Sequence, residues 1–147
     1  MKKFSYSMQN ILNLQYKFEE QEKAAFQSAV HKLEVEEEIL KEYLSQKDDY
    51  EQKLKEEEQG IIDLKMIRFY RNSIDVMKSR IRSQMFRVHL EEKNVETARI
   101  KLQQEMKKRK THEIMKEKAF ENYKYELSQE ESKEIDELVS YRHTINE

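Results

Sequence analysis

The sequence contains no proline and no cysteine, and Gly60 is its single glycine. Proline and glycine supply the backbone conformations that tight turns require, so a β or α/β fold with many turns is excluded. Without cysteine the chain can form no disulfide, no thiolate nucleophile and no cysteine-ligated metal site. A phosphate-binding loop needs several glycines beside a lysine, and one glycine cannot build it.

Charge of either sign is abundant, but neither sign dominates. Charged residues make up 39% of the 147 residues and the formal net charge is −2, whereas a typical domain is roughly 25% charged. The chain therefore has no overall basic field to attract nucleic acid or an anionic membrane. No segment approaches the ~20 apolar residues of a membrane span, and the N-terminus lacks the features of a signal peptide. We expect a cytoplasmic protein with no nucleic-acid partner.

An apolar residue recurs every seven positions in the second half of the chain. The series consists of Ile67, Ile74, Ile81, Val88, Val95 and Leu102. A strict seven-residue repeat keeps one seam of a helix facing one partner. The pattern predicts a helix over 62–141, and apolar residues at three- and four-residue steps predict an earlier helix over 4–57. Gly60 suits a left-handed helix cap between the two.

Two helices joined by so short a break should fold back as an antiparallel hairpin. Residue i should then lie opposite roughly residue 121 minus i, which pairs the acidic segment 34–58 with the basic segment 63–87. Opposite charges along a seam favour this orientation. We predict an all-α fold, a long antiparallel two-helix coiled coil with a longer second helix, forming one domain over 1–147. The second helix should overhang from about residue 118.

Recognisable catalytic or metal-binding motifs are absent. The histidines His31, His89, His112 and His143 lack the spacing of metal ligands. The carboxylate runs are typical of a solvated helix face, and we interpret the basic run 107–110 in the same way, as a face opposing the first helix. We therefore expect no enzyme activity, no cofactor and no metal.

Two stripes beside the seam suggest a protein-binding patch. The first lies roughly 110–120° around the first helix from its leucine seam and consists of Ile39, Tyr43, Gln46 and Tyr50. The second lies on the second helix and consists of Phe69, Ser73, Met77, Arg80 and Gln84. The register places them at one height, where exposed aromatic and methionine side chains would favour protein contact. The alternative is a broader core that buries them.

The predicted overhang is a second candidate docking surface. Its larger apolar side chains are Phe120, Tyr123, Tyr125, Ile135, Leu138 and Tyr141. The alternative is a helical tail that frays because nothing covers it.

Three segments resemble the FliJ family of the flagellar type III export apparatus. Residues 4–14, FSYSMQNILNL, resemble the family's opening, an aromatic-x-aromatic followed by a leucine-rich helix. After Gly60, the spacing of Tyr70, Ile74, Met77 and Ile81 resembles the family's post-turn signature. The ending LSQEESKEIDELVSYRHT resembles its acidic-basic C-terminal helix. The resemblance covers nearly the whole chain.

The resemblance implies a non-enzymatic export stalk, a coiled coil similar to the γ subunit of rotary ATPases. Its terminal end would insert into the hexameric export ATPase FliI and promote assembly, and its hairpin end would meet the export gate protein FlhA. The regulator FliH and the export chaperones are further implied partners, with a general chaperone role. The implied location is cytoplasmic, at the periphery of the membrane export apparatus.

The resemblance also implies site residues. The gate-binding set is Ile39, Tyr43, Gln46, Tyr50, Ser73, Met77, Arg80 and Gln84. The set assigned to the ATPase ring is Phe4, Met8, Ile11, Phe120, Tyr123, Ile135 and Leu138. Two alternatives stay open: the equivalent stalk of a virulence type III secretion system, and a generic coiled-coil scaffold. A scaffold would form a stable dimer, whereas a hairpin should be a monomer.

Overall fold

The structure, a computed structural model, describes residues 3–146. This part of the chain forms two α-helices, α1 (Gln9–Glu58) and α2 (Leu64–Ile145), and no strand. At 82 residues α2 is longer than α1, which has 50. The two helices pack against each other as an antiparallel hairpin. The predicted fold class is therefore confirmed.

The N-terminal segment is not helical up to Gln9, five residues later than the predicted start at residue 4. The backbone N–H of Gln9 donates to the Tyr6 carbonyl at 3.1 Å, a turn that precedes the helix. The reason is tertiary: the ring of Phe4 packs against Phe120 of α2, with centroids 5.0 Å apart. Aromatic burial of this kind outweighs the modest gain from one more turn of helix.

The turn depends on Asp63 rather than on Gly60. The Asp63 carboxylate accepts the backbone N–H of Lys65 at 3.0 Å, the bond of a helix N-cap, so α2 starts at Leu64 and not at residue 62. Gly60 has no positive φ, and a Cβ added there would meet nothing within 4 Å. The expected left-handed glycine cap is therefore wrong.

The chain divides into two compact units, and unit 2 spans Gln21–Leu102. Its α2 core consists of Ile74, Met77, Ile81, Gln84 and Val88. The buried positions alternate between steps of three and four, so the seam has two rows. One row is the predicted isoleucine–valine series, and the other contains Met77 and Gln84. This two-row seam is the usual packing surface of a two-stranded coiled coil.

Unit 1 comprises Met1–Glu20 and Gln103–Glu147, and its two terminal ends lie outside the described residues. Leu12 and Gln15 are buried in it. The seven-residue row of α2 continues as Arg109, Lys116 and Tyr123, which are half-buried. Every residue from 128 to 146 is exposed. The part of α2 that is exposed on all sides thus begins at residue 128, about ten residues after the predicted start of the overhang. The difference arises because Phe4 packs on Phe120 and Tyr123.

One polar contact occurs in both units. In unit 2 the Gln84 side-chain amide donates to the Glu36 carbonyl at 2.9 Å and to the Glu36 carboxylate. In unit 1 the Gln15 amide donates to the Glu105 carbonyl at 3.1 Å and to its carboxylate at 2.5 Å. Both glutamines are buried. Each pair lies within one residue of the predicted pairing, so the pairs mark the register of the two helices.

The Gln84–Glu36 contact predicts unequal effects of single and double substitution. Gln84→Leu leaves the Glu36 carboxylate without its donor, and we expect it to lower the free energy of unfolding by about 1–3 kcal/mol. Glu36→Leu/Gln84→Leu removes both polar partners and should be near neutral or stabilising. Urea unfolding followed by circular dichroism measures both. The exposed Gln27→Leu is the control and should change stability by less than about 0.5 kcal/mol; equal losses in the single and double variants would contradict the prediction.

Candidate partner-binding surfaces

A shallow groove lies beside the seam of unit 2. It has a volume of 270 Å³ and is lined by Gln46, Tyr50, Phe69, Asn72, Ser73, Val76, Met77 and Arg80. A second depression of 220 Å³ shares Arg80 and is lined further by Tyr43, Ser79, Ser83, Gln84 and Arg87. We call the two together the flank groove. The structure brings seven of the eight predicted gate residues to it, and Ile39 is the exception.

The predicted gate residues differ in exposure. Gln46 and Arg80 are exposed, whereas Ile39, Tyr43, Tyr50 and Ser73 are half-buried. Met77 and Gln84 are each only 3% exposed. The expectation that this set faces solvent is therefore wrong for Met77 and Gln84, because the second row of the two-row seam passes through them.

Aromatic rings form one wall of the flank groove. The ring of Tyr50 lies 6.5 Å from those of Phe69 and Tyr70, and Phe69 lies 5.6 Å from Tyr70. Phe69 is nevertheless 54% exposed. The Ser73 hydroxyl donates to the Phe69 carbonyl at 2.9 Å, so this hydroxyl is engaged within α2. The wall offers a fixed apolar contact, with Tyr50 oriented by its neighbours.

The charged lining of the flank groove is cationic. Arg80 and Arg87 line it, and no carboxylate is among its lining residues. Together with Gln46 and Asn72 they suit a partner that carries carboxylates or carbonyls around an apolar contact. Asn72 and Val76 were missed from the sequence. Exposed apolar residues spaced by seven, Phe69 and Val76, were the signal for the outer edge of this groove.

An aromatic cluster, formed by Phe4, Phe120 and Tyr123, lies in unit 1. Ring centroids are 5.0 Å apart for Phe4–Phe120, 5.5 Å for Phe4–Tyr123 and 6.3 Å for Phe120–Tyr123. The Lys124 ammonium lies 4.6 Å from the Phe120 ring centroid, a cation–π contact. The cluster ties the non-helical N-terminal segment to α2.

Two depressions adjoin the aromatic cluster. One of 380 Å³ is lined by Phe4, Glu113, Lys116, Glu117 and Phe120. The other, of 920 Å³, runs between segment 3–7 and α2 as far as Glu130. Of the seven residues assigned to an ATPase ring, Phe4, Phe120 and Tyr123 are thus brought together. Met8 is half-buried, and the remaining three are exposed, Ile11, Ile135 and Leu138.

A polar network continues the seam of unit 1 where apolar residues stop. The Arg109 guanidinium lies 2.5 Å from the Glu19 carboxylate and donates to Glu113 at 3.0 Å. The Tyr16 hydroxyl donates to the other Glu113 oxygen at 2.9 Å. The Lys108 ammonium lies 3.2 Å from Glu105. Of the basic run 107–110, Arg109 thus faces the first helix, whereas Lys108 is paired within α2 and Lys107 and Lys110 are exposed.

These bonds change the acidities of the groups that make them. The hydrogen bond from Tyr16 is the main reason that the pKa of Glu113 lies below its ordinary value, and the same bond raises the pKa of Tyr16. The Gln15 amide lowers the pKa of the Glu105 carboxyl. By contrast, the Tyr6 hydroxyl and the Nδ1 of His112 are buried without a hydrogen-bond partner among the described residues.

Metal-binding clusters and membrane-spanning stretches are lacking in residues 3–146. Within this range no group of three or more acidic, histidine or cysteine side chains is arranged to hold a metal ion. Neither α1 nor α2 contains a stretch apolar enough to cross a membrane.

Comparisons with known proteins give a family from a sequence model and a fold from a solved structure. The model of a family described as flagellar FliJ protein matches residues 4–147. Among solved structures, that of a YscO homolog, CT670 from Chlamydia trachomatis, is similar with a TM-score of 0.60. It is 20% identical in sequence, and the match covers 98% of each chain. At this identity the likeness shows the fold alone. The comparison with curated proteins gave no significant match.

The Tyr16–Glu113 bond predicts a measurable titration. Because the folded-state pKa of Glu113 is lowered, its stabilising effect is present above the ordinary carboxyl pKa and is lost as the pH falls through the folded value. Tyr16→Phe should raise the pKa of Glu113 towards its ordinary value, as measured by NMR titration of the side-chain carboxyl. Tyr125→Phe, at a tyrosine 66% exposed, should leave it unchanged. An unaltered Glu113 titration in Tyr16→Phe would show that the hydroxyl is not the cause.

Proposed function

Because this chain belongs to the FliJ family, we propose that it is the stalk of a flagellar type III protein export apparatus. The proposed action is mechanical and steric: an asymmetric two-helix coiled coil enters a hexameric FliI-like ATPase, promotes its assembly and couples it to an FlhA-like gate. No bond-making chemistry is assigned to the chain. The observation that carries the proposal is the family match over residues 4–147.

The ATPase contact is proposed for the unit that contains both chain ends. The support is the aromatic cluster of Phe4, Phe120 and Tyr123, together with segment 128–146, every residue of which is exposed. Five large apolar side chains in that segment are 59–66% exposed: Ile135, Leu138, Val139, Tyr141 and Ile145. A helix with this much uncovered apolar surface is suited to contact a partner.

The gate contact is proposed for the flank groove. Four of its exposed members, Arg80, Gln46, Phe69 and Val76, would touch the gate protein. Met77 and Gln84 would act indirectly, by holding the groove's floor, because both are buried. A FliH-like regulator and export chaperones remain proposed partners, in the cytoplasm beside the membrane export apparatus, with a general chaperone role.

A second candidate is the equivalent stalk of a virulence type III secretion system. It is favoured by the likeness in fold to the YscO homolog, a TM-score of 0.60 over 98% of each chain. The two candidates share the mechanical role and differ in their ATPase. Assembly assays with a flagellar and a virulence ATPase from the same organism would separate them.

Removal of residues 128–147 tests the ATPase contact. The truncation leaves the aromatic cluster and all seam positions up to Tyr123 in place, so the remaining chain should stay helical by circular dichroism. We expect formation of the FliI-like hexamer and stimulation of its ATPase to fall at least about tenfold, the loss expected when a group of interface anchors is deleted. Unchanged assembly and stimulation by the truncated chain would refute the assignment of this segment to the ring.

Charge reversal at Arg80 tests the gate contact. Arg80→Glu should weaken binding to the cytoplasmic domain of the gate by about tenfold or more, because it places a carboxylate in a cationic groove. Arg82→Glu is the matched control: Arg82 is also exposed but does not line the groove. Isothermal titration measures both. If the two reversals weaken binding equally, net charge rather than the flank groove determines the affinity.

A further inference from the structure

The burial of the two-row seam of α2 ends after Tyr123. Up to that point the seven-residue row stays half-buried, as Arg109, Lys116 and Tyr123. The next positions of the same row are Glu130, Glu137 and Thr144, all exposed and polar. The intervening row also changes from half-buried, as Glu105, His112 and Ala119, to exposed, as Glu126, Lys133 and Ser140. The tail of α2 therefore does not extend the hairpin seam.

The apolar residues of the tail lie on another side of the helix. Leu138 and Ile145 each follow a seam position by one residue, which places them about 100° around the helix from it. Ile135 and Tyr141 are three residues from Leu138 on either side, so they neighbour it on the same surface. We call Ile135, Leu138, Tyr141 and Ile145 the tail face. Their exposed fractions are 59–66%, although a face of this spacing on a stable helix normally packs against something.

Charge beside the tail face indicates what it packs against. A depression of 320 Å³ is lined by Glu134, Glu137 and Leu138, so carboxylates border the central leucine. Segment 128–146 carries five carboxylates against Lys133 and Arg142, an excess of three negative charges. An anionic membrane surface would repel such a face. A protein groove with an apolar floor and lysine or arginine on its rim complements it.

We infer that the tail face docks into an apolar groove whose rim is basic, on a partner protein. The inference rests on the proposed function in one respect: the partner would be a subunit of the export ATPase. It adds which side of the tail makes the contact and what the receiving surface must offer. The face that enters the groove lies to one side of the hairpin seam, so the tail contacts the partner through different residues from those that pair α1 with α2.

Two nearby residues on opposite sides of the helix provide matched variants for the test. Leu138 is 62% exposed and belongs to the tail face, whereas Ser140 is also exposed and lies about 160° away. We expect Leu138→Arg in the full chain to weaken binding to the cognate export ATPase about tenfold or more, and Ser140→Arg, which adds the same charge, to change it by less than about threefold. Circular dichroism should be unchanged in both, since both side chains are exposed.

The carboxylates are tested in the same way. Glu137 lines the depression beside Leu138, whereas the preceding residue, Asp136, does not line it. Glu137→Gln should reduce the salt dependence of ATPase binding, and Asp136→Asn should leave it unchanged. Equal effects within either matched pair would overturn the inference while leaving the proposed function intact.

Two other outcomes would also decide the matter. If the unmodified chain does not bind the ATPase at all, the proposed function fails and the inference fails with it. If sedimentation shows a dimer of the full chain that Leu138→Arg abolishes and Ser140→Arg preserves, the tail face binds a second copy, and the inference of a basic-rimmed partner groove is overturned.

Discussion

The pairing of the two helices depends on a glutamine amide that bonds across the interface to both the carbonyl and the carboxylate of a glutamate. Gln84 makes this bond to Glu36, and Gln15 makes it to Glu105. A seam of aliphatic side chains alone could slip by seven residues with little loss of buried area. A slip would leave a buried amide and a carboxylate unpaired. The free-energy penalty of these unpaired groups exceeds the small change in apolar burial that the slip would cause. The polar pairs thus specify one register.

The two rows of the seam in unit 2 therefore have different roles. The row of Ile74, Ile81 and Val88 supplies apolar burial, which stabilises the pairing. The mixed row, with Met77 and Gln84, gives the register and forms the floor of the flank groove. Since register decides which residues of α1 and α2 line that groove, the lining of the groove depends on the less stabilising row.

The sequence predicts the fold well because the isoleucine–valine row is uniform and repeats every seven residues. The pairing rule followed from Gly60 and the charge blocks, and it agrees with both glutamine pairs to within one residue. The second row, Tyr70, Met77, Gln84 and Glu91, escaped notice because its side chains share no single property. The non-helical start escaped because it depends on Phe4 contacting residues over a hundred positions away, which local periodicity does not contain. The sequence likewise indicated the exposure of Gln46 and Arg80 in the flank groove but not the burial of Met77 and Gln84.

The open space around Gly60 has a consequence for how the connection can change. The turn places no demand on its glycine, and the register is held by side chains far from it. Lengthening a flexible loop costs only about 0.6 kcal/mol for each doubling of its length. The connection between α1 and α2 is therefore a site where inserted residues, a reporter peptide or a tether to a surface should leave the helix pairing undisturbed. Forces on the hairpin could be measured through an attachment at this point.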